Sequence, residues 1–513
     1  MSLGERSIAA VFWGAGGTAF RILLQFGSQV VLARILGPTE YGMFAVGGIV
    51  VGLCSFFADF GLAYGLIQKR EVTDEDMRFA FTWQCIVGLG VAAAIAGSSG
   101  LVAHFFGEPR GQAVIAFMAL ICLANAVAGT SMNLLKRNLD FKTQQFAFLI
   151  SYVVGFYCVG IPLALTGHGV WSLAIAWVIQ ASLWGALLYR KVRHPVRPLF
   201  WYAGGRTQAS YGLTVLRTNV LNWFIGNVDR IVVGRVLPTR DIGLYSTVYT
   251  MIYAPSASLL GIVQPVLFSA SARVTQDIEA SDADAAAAKL VRAFTGLIAV
   301  VCLYLLPVFV TAAVLADQFI AAVYGAAWAD GAVVLRPVAL AMPLLLCVGL
   351  STPVLWASGR PQDEFGKQWL IAIVWALACW PLARVGGIHA VAWGVLGLFS
   401  VRFGIVVHAL TRASAVRWAH VWRSARGGLA VSVAVAVGVG LADAGLRSLG
   451  WPPGVCVLGA SLCAVLVFLG SLRLAPALIG QEVSGLMGGV AKRLSPRIAY
   501  RIDWLWGAEG RTR

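Results

Sequence analysis

Apolar residues fall into blocks along the chain, each about 20 residues long, with short polar stretches between them. A helix of that length crosses the roughly 30 Å of hydrocarbon in a bilayer. The sequence does not show segments of about ten residues with alternating apolar and polar positions, which are typical of membrane β-barrels. We therefore expect an all-α polytopic membrane protein with about fourteen transmembrane helices. The predicted spans are 8–34, 41–62, 79–105, 111–132, 146–167, 170–190, 209–235, 243–269, 290–315, 333–357, 368–385, 387–410, 427–446 and 453–472.

One polar corner between predicted spans occurs twice. The segments RILGPTEYGMF (34–44) and RVLPTRDIGLY (235–245) share Arg, Leu, an acid, Gly and an aromatic residue in one register. In the first copy Gly37 suits a helix end, Pro38 cannot continue a helix, and Glu40 suits the positive end of the next helix. A corner alone is typical of any helix turn, but its recurrence indicates a duplicated helix pair.

The two corners lie six predicted spans apart, so both halves cross the membrane in the same sense. This indicates a parallel repeat of two six-helix lobes, as in transporters built from two similar halves. Two extra C-terminal helices follow, and then a basic amphipathic tail that is expected to lie on the inner leaflet. The predicted regions are 1–200, 201–412, 413–473 and 474–513.

Polar residues form a stripe on the first helix of each predicted lobe. In the first span they recur at three- and four-residue spacing, on one helical face: Thr18, Arg21, Gln25 and Ser28. The equivalent positions of the second lobe are Asn219, Asn222, Gly226 and Asp229. These groups either bond to neighbouring helices or line a shared water-filled cavity. Two related stripes that contain ionisable residues favour the cavity, because such residues are costly inside a membrane and usually mark a substrate pathway.

Three further arginines add positive charge to the predicted spans: Arg217, Arg230 and Arg402. A cavity richer in arginine than in acid should attract an anion, and the planar guanidinium suits phosphate oxygens. Arg230 is also placed to neutralise its neighbour Asp229, which is the structural alternative. No residue pattern indicates a catalytic group, a metal site or a cofactor.

Composition and charge agree with a membrane protein, since 59% of residues are hydrophobic and 12% are charged. The net charge of +16 reflects topology and not nucleic-acid binding, because lysine and arginine concentrate in alternate loops. The loops on the other side carry only Arg110, Arg235, Arg240, Arg336, Arg384 and Arg447. Both termini are therefore expected to be cytoplasmic, and the first span is expected to be retained and not cleaved as a signal peptide.

The nine cysteines lie in or beside apolar spans without a CxxC pair and are interpreted as packing residues.

An enzyme is the alternative from another class. No GxxxxGK[ST] segment occurs, so the chain does not resemble an ATPase. A membrane glycosyltransferase or polymerase would place acids in a sizeable outer loop, whereas the longest predicted one, 317–331, holds only Asp317 and Asp330. The sequence therefore favours a transporter over an enzyme.

Several segments resemble the polysaccharide-transporter branch of the multidrug, oligosaccharidyl-lipid and polysaccharide exporter superfamily. They are ARILGPTEYGMFAV, FGLAYGLIQKREV, LLKRNLDFKTQ, GHGVWSLAIAW and NVDRIVVGRVLPTRDIGLYS. The resemblance covers about Ser7 to Phe268, and the second corner departs from it at Pro238, where glycine is common.

The resemblance implies a flippase that moves a polyprenyl-pyrophosphate-linked oligosaccharide across the inner membrane for capsule, exopolysaccharide or O-antigen assembly. It also implies membrane lipids, a polysaccharide polymerase and a chain-length regulator as partners, and no nucleic acid. A peptidoglycan-precursor flippase and a cation-coupled drug exporter are the alternatives within the superfamily. A drug exporter for cations should have a more acidic cavity.

Overall fold

The computed structural model describes residues 3–59, 72–138, 140–202, 205–280, 283–357, 361–413 and 416–475. Within these ranges the chain is helical, with short turns and no β-strand. The helices of the first half are α1 Leu3–Asp59, α2 Asp74–Phe105, α3 Gln112–Met118, α4 Leu120–Arg137, α5 Phe141–Tyr152, α6 Ile161–Leu165, α7 Val170–Lys191 and α8 Gly205–Val236. Those that follow are α9 Thr239–Ala280, α10 Ala283–Val300, α11 Leu306–Val314, α12 Ala316–Val323, α13 Ala332–Ala357, α14 Pro361–Ala413, α15 Trp418–Ser448 and α16 Pro453–Leu474.

Short segments of other helix types join some of these helices. A π-helical stretch, Val153–Gly160, connects α5 to α6, and another, Val301–Leu305, connects α10 to α11. A 3₁₀ turn precedes α3, and a second one, Ala326–Gly331, precedes α13. The π-helical stretches therefore join short helices into longer helical segments, Phe141–Leu165 in the first half and Phe294–Val314 in the second.

The described part of the chain contains 10 helical segments that are long and apolar enough to cross a membrane. The protein is therefore a multi-pass membrane protein. The two longest segments, Gly16–Phe57 and Trp369–Arg412, each cover two predicted spans. Each bends at a glycine with positive φ, Gly37 at 74° and Gly387 at 58°. The prediction of about fourteen crossings in two six-helix lobes stays a prediction.

Two compact units can be distinguished in the chain. The first comprises the described residues up to Thr247 together with Ala376–Ile388, and its core includes Leu135, Ala147 and Leu188 from α4, α5 and α7. The second comprises Val248–Trp375 and the described residues from His389 onward. Its core is formed by buried side chains of α10, α13 and α14, and α15 and α16 pack on a separate apolar cluster. The predicted tail lies beyond Ala475 and hence outside the described residues.

Candidate transport site

The polar stripe of α1 faces α5. The Thr18 hydroxyl accepts a hydrogen bond from Gln145 Nε2 at 3.3 Å. The Ser28 hydroxyl is fully buried and lies 2.6 Å from the Tyr152 hydroxyl. Thr18 and Ser28 therefore bond to a neighbouring helix, as the structural alternative for this stripe expects. Gln25 is half-buried, and its carbonyl oxygen accepts a hydrogen bond from Ser28 Oγ at 3.1 Å.

Arg21 differs from its neighbours on the stripe. Its guanidinium lies over the Phe148 ring, 5.0 Å from the centroid, and its side chain is half-buried. The buried Nε has no hydrogen-bond acceptor, and no carboxylate among the described residues pairs with this cation. An unpaired cation at a predicted span centre is costly unless water or an anionic ligand meets it.

Two glutamines of α5 leave further polar atoms without partners beside Arg21. Gln144 Nε2 and Gln145 Oε1 are buried and unbonded within the described structure. Gln145 bonds to Thr18, one turn from Arg21, and Gln144 lies one turn before Phe148 on α5. Since buried polar atoms are nearly always satisfied in folded proteins, this group of donors and an acceptor indicates a place for water or a polar ligand.

A column of stacked aromatic rings continues from Phe148 along α5 and the π-helical stretch. The Phe148 and Tyr152 centroids are 5.8 Å apart, and those of Tyr152 and Phe156 are 4.6 Å apart, with interplanar angles of 17° and 19°. Tyr157 then donates a hydrogen bond to the Leu24 carbonyl at 2.8 Å. The column fixes α1 against α5. The sequence analysis missed it, although its i, i+4 spacing marks one helical face.

The stripe of the second half has different surroundings. Asp229 is 3% exposed, and its carboxylate accepts a 2.5 Å hydrogen bond from the Tyr245 hydroxyl of the second corner. Arg230 Nη1 donates to Asn227 Oδ1 at 3.4 Å. Asn219 is half-buried on α8, while the side chains of Arg217 and Asn222 lie outside the described part of the structure. Asp229 is thus bonded to α9.

Arg402 belongs to the second compact unit. It lies on α14, and its guanidinium is 5.7 Å from the Phe399 ring centroid, one turn earlier on the same helix. The side chain is half-buried. This contact keeps the charge along its own helix, as expected for a long side chain in a membrane span.

The two repeated corners contact each other through their glycines. A Cβ atom at Gly42 would overlap the carbonyl oxygen of Thr239, and a Cβ atom at Gly243 would overlap the carbonyl oxygen of Pro38. The latter Cβ would also lie 2.8 Å from the Gly42 nitrogen. The contact is reciprocal, because Gly42 aligns with Gly243 and Pro38 with Thr239 in the repeat. Only glycine allows this backbone approach.

Acidic side chains hold both corners in place. Glu40 accepts a 2.6 Å hydrogen bond from the Val170 nitrogen at the start of α7, after the positive-φ Gly169. Glu40 was expected to interact with the positive end of the helix that follows it directly in the chain, whereas the structure shows a hydrogen bond to the first residue of α7. Thr239 of the second corner donates to Glu108 at 2.8 Å, and Glu108 also pairs with Arg110 at 2.8 Å.

The pKa of Glu108 reflects these contacts. Partial burial acts to raise it, but the hydrogen bonds from Arg110 and Thr239, together with the charge of Arg110, lower the pKa below its usual value. Glu108 is therefore ionised at neutral pH.

Several named proteins are similar in sequence to this chain. The lipopolysaccharide biosynthesis protein WzxC of Escherichia coli K12 is 24% identical over 64% of this chain and 65% of that protein, so the match spans less than two thirds of its length. The teichuronic acid biosynthesis protein TuaB of Bacillus subtilis 168 is 22% identical over 78% of this chain and 81% of that protein. The succinoglycan biosynthesis transport protein ExoT of Rhizobium meliloti 1021 is 24% identical over 73% of this chain and 71% of that protein.

Two solved structures share the fold. The lipid II flippase MurJ, in an inward closed conformation, aligns with a TM-score of 0.72 and 14% identity over 91% of this chain and 99% of that chain. An inward-facing multidrug resistance MATE family transporter of the MOP superfamily aligns with a TM-score of 0.50 and 12% identity over 77% of this chain and 94% of that chain.

Residues 31–333, more than half of the chain, match the family described as polysaccharide biosynthesis protein. The chain therefore belongs to this polysaccharide biosynthesis family, as the resemblance of its corner and KRNLDF segments predicted.

Proposed function

We propose that this protein is a flippase that moves a polyprenyl-pyrophosphate-linked oligosaccharide across the inner membrane for exopolysaccharide, capsule or O-antigen assembly. Fourteen helices form two six-helix lobes and two extra C-terminal helices, and transport proceeds by alternating access of a basic central cavity. The names of WzxC, TuaB and ExoT support this proposal, since they refer to the biosynthesis of lipopolysaccharide, teichuronic acid and succinoglycan, and that of ExoT also to transport.

The observation that carries the proposal is the unpaired cation of Arg21. A charged side chain at a span centre costs about 2.5–3.5 kcal/mol on insertion scales, so a site that retains one needs a compensating role. A pyrophosphate supplies acceptors for the forked guanidinium donors, and Gln144 Nε2, one turn before Phe148 on α5, is a further buried donor without a partner within the described structure. The protein then moves only the polar head group, while the lipid tail stays in the bilayer.

We assign the proposed cavity groups two roles. Residues that contact the cargo are Arg21, Gln25, Arg217, Asn219, Asn222, Arg230 and Arg402. Thr18, Ser28 and Asp229 position their helices through the hydrogen bonds to Gln145, Tyr152 and Tyr245. This division agrees with burial, since Ser28 and Asp229 are buried whereas Arg21, Gln25 and Asn219 are half-buried.

The peptidoglycan-precursor flippase is the second candidate, because the fold match to the lipid II flippase MurJ extends over 99% of that chain. A pyrophosphate-linked cargo would use the same arginine, so the two functions differ in the sugar and not in the anion. A cation exporter fits less well, since the buried carboxylate of Asp229 already bonds to Tyr245. A transporter is also proposed in preference to an enzyme.

Arg21→Ala tests the proposal. Export of the polymer should fall at least about tenfold, because losing a charge-assisted hydrogen bond costs about 1.5–3 kcal/mol, while the protein still accumulates in the membrane. Arg21→Lys should be intermediate, since lysine keeps the charge but loses the forked donors. Gln25→Ala removes no charge and should be milder. The measurements are membrane abundance, surface polysaccharide and the lipid-linked unit that accumulates on the cytoplasmic face.

Arg384→Ala is the matched control. Arg384 is exposed on α14 and makes a similar cation–π contact, 5.2 Å from the Trp380 centroid. Its loss should leave export unchanged. Wild-type export by a well-expressed Arg21→Ala protein would overturn the cavity assignment, and a low abundance of the same protein would indicate a packing role for Arg21.

We further propose that both termini are cytoplasmic and that the protein acts beside a polysaccharide polymerase and a chain-length regulator.

A further inference from the structure

The segment 192–202, named here the connector, joins α7 to the start of the second half and lies along α2. Arg78 of α2 donates from Nε to the Arg197 carbonyl at 3.0 Å and from Nη2 to the Pro198 carbonyl at 3.2 Å. The Leu199 nitrogen donates to Thr82 Oγ1 at 3.0 Å. These bonds satisfy backbone groups of the connector at Arg197, Pro198 and Leu199, where the segment has no regular secondary structure.

Both ends of the connector are fixed as well. At its start His194 is buried between the rings of Phe81 and Tyr189, with centroid distances of 4.9 Å and 5.2 Å. At its end Tyr202 donates a hydrogen bond to the buried carboxylate of Asp76 in the first turn of α2. The connector is therefore a docked segment with one defined outer surface.

That outer surface combines large apolar side chains with cations. Val196, Phe200 and Trp201 are 47%, 60% and 66% exposed. The exposed basic residues among and beside them are Lys191, Arg193 and Arg197. The connector contains no acidic residue. Exposed aromatic rings with neighbouring arginines are typical of segments at a membrane surface, where the rings enter the interface and the cations bind phosphates.

The length of α2 places the connector at that depth. Its 32 residues span about 48 Å at 1.5 Å per residue, which exceeds the hydrocarbon core by about 18 Å. The first turn carries the exposed acidic residues Asp74 and Glu75 and therefore lies in water. Trp83, which donates to the Phe200 carbonyl at 3.0 Å, stands about 13 Å further along the helix and hence near the edge of the hydrocarbon.

We propose that the connector is a binding site for anionic phospholipid of the cytoplasmic leaflet. Phe200 and Trp201 enter the interface, and Arg193, Arg197 and Lys191 bind the headgroup phosphate. Soluble nucleic acid or an acidic peptide would match the cations but leave the apolar side chains in water. None of the connector residues belongs to the set proposed to contact the cargo, so lipid binding and export can be tested independently.

The test uses the full-length protein with phosphatidylglycerol or phosphatidylcholine and counts retained lipids by native mass spectrometry. The wild type should prefer phosphatidylglycerol, and Arg193→Gln with Arg197→Gln should weaken this binding about fivefold for each arginine removed. The matched control, Arg292→Gln with Arg412→Gln, removes the same charge from two exposed positions outside the connector. It should keep the preference.

A nitroxide on a Trp201→Cys variant measures depth independently, in a protein whose nine native cysteines are replaced. In nanodiscs that contain phosphatidylglycerol the label should be accessible to oxygen and protected from a water-soluble relaxant. Equal lipid retention by the connector and control variants would overturn the proposal. A label in bulk water would also overturn it, as would one that becomes protected only when a soluble protein fraction is added.

Discussion

Arg21 and Asp229 are ionisable residues of the two predicted polar stripes, and they differ in whether a side chain of the protein bonds to the charged group. Asp229 is 3% exposed and bonded to Tyr245, so its polar requirement is met within the protein. Within the described part of the chain, the Arg21 guanidinium contacts the face of Phe148, and its Nε lacks a hydrogen-bond partner. The two predicted stripes thus differ in their surroundings, and a cargo that binds Arg21 as proposed would do so through its anionic end.

His194 makes the docking of the connector sensitive to pH. Its side chain is 5% exposed between Phe81 and Tyr189. Among the described residues Nε2 has no hydrogen-bond partner, and Nδ1 lies 3.4 Å from the Pro195 carbonyl oxygen. Burial lowers its pKa below the usual 6.5. The undocked segment therefore binds a proton more readily, and docking weakens as the pH falls below 6.5 towards the lowered pKa.

Hydrogen exchange of residues 192–202 should therefore be slow at pH 7.5 and, after correction for intrinsic rates, several-fold faster at about pH 5.5. His194→Phe keeps a ring between Phe81 and Tyr189 and should remove most of this change. If the variant retains the full pH dependence, another group controls docking.

At the residue scale, sequence spacing predicted which residues share a face but not what that face meets. Three- and four-residue spacing grouped Thr18, Arg21 and Ser28, and the structure brings these residues to α5. The aromatic column has the same kind of spacing, but Phe148 and Tyr152 do not stand out in the sequence of a predominantly apolar span. Periodicity alone contains no information on the partner helix, because that choice depends on tertiary packing.

At the scale of elements, the two copies of the corner pack against each other, which explains why both have a glycine at the same position. Each corner supplies a glycine and a carbonyl oxygen, at Gly42 and Pro38 or at Gly243 and Thr239. The sequence predicted the duplication, but the reciprocal contact depends on how α1 meets the start of α9. Alternating access requires paired elements that separate and rejoin, and this pair is a candidate because its contact is backbone to backbone.

Gly42→Ala and Gly243→Ala should each separate the corners. The added methyl group meets a backbone carbonyl that no side-chain rotation can move, and such overpacking costs about 1–3 kcal/mol. Both variants should therefore lower the apparent Tm in detergent by several degrees and reduce export to similar extents, because the contact is reciprocal.

Gly226→Ala is the matched control for these substitutions. Gly226 lies within α8, and a Cβ atom there meets nothing within 4 Å. Alanine in a helix interior is favoured over glycine by about 0.5–1 kcal/mol, so Tm should stay constant or rise slightly. If the corner variants behave like this control, the close contact does not persist in the membrane.

At the scale of the whole molecule, apolar block length predicted an all-helical, multi-pass protein, because the bilayer imposes that length on any spanning helix. Two boundaries between blocks were also predictable. Gly37 and Gly387 stand at boundaries between predicted spans, and at each of them the backbone leaves the helical conformation with a positive φ, so that two helices meet at a kink. Glycine allows this conformation because it has no Cβ atom.

Orientation is the remaining property that sequence predicts for the whole molecule, and single cysteines test it. Lysine and arginine concentrate at the loops that include Lys191, so this residue should be cytoplasmic, and the loop with Ala327 should face outward. Both positions are exposed in the structure. In a protein with its nine native cysteines replaced, an impermeant maleimide should label Ala327→Cys in intact cells. It should label Lys191→Cys only after permeabilisation.

The reverse labelling pattern would place the connector in the outer leaflet and Arg21 in a helix of opposite direction. The pyrophosphate group of a cargo made in the cytoplasm would then approach Arg21 from the opposite end of the helix that contains it. Labelling at both positions in intact cells would instead indicate mixed orientation. The positive-inside bias argues against mixing, because only Arg110, Arg235, Arg240, Arg336, Arg384 and Arg447 of the 39 basic residues lie in the predicted outward loops.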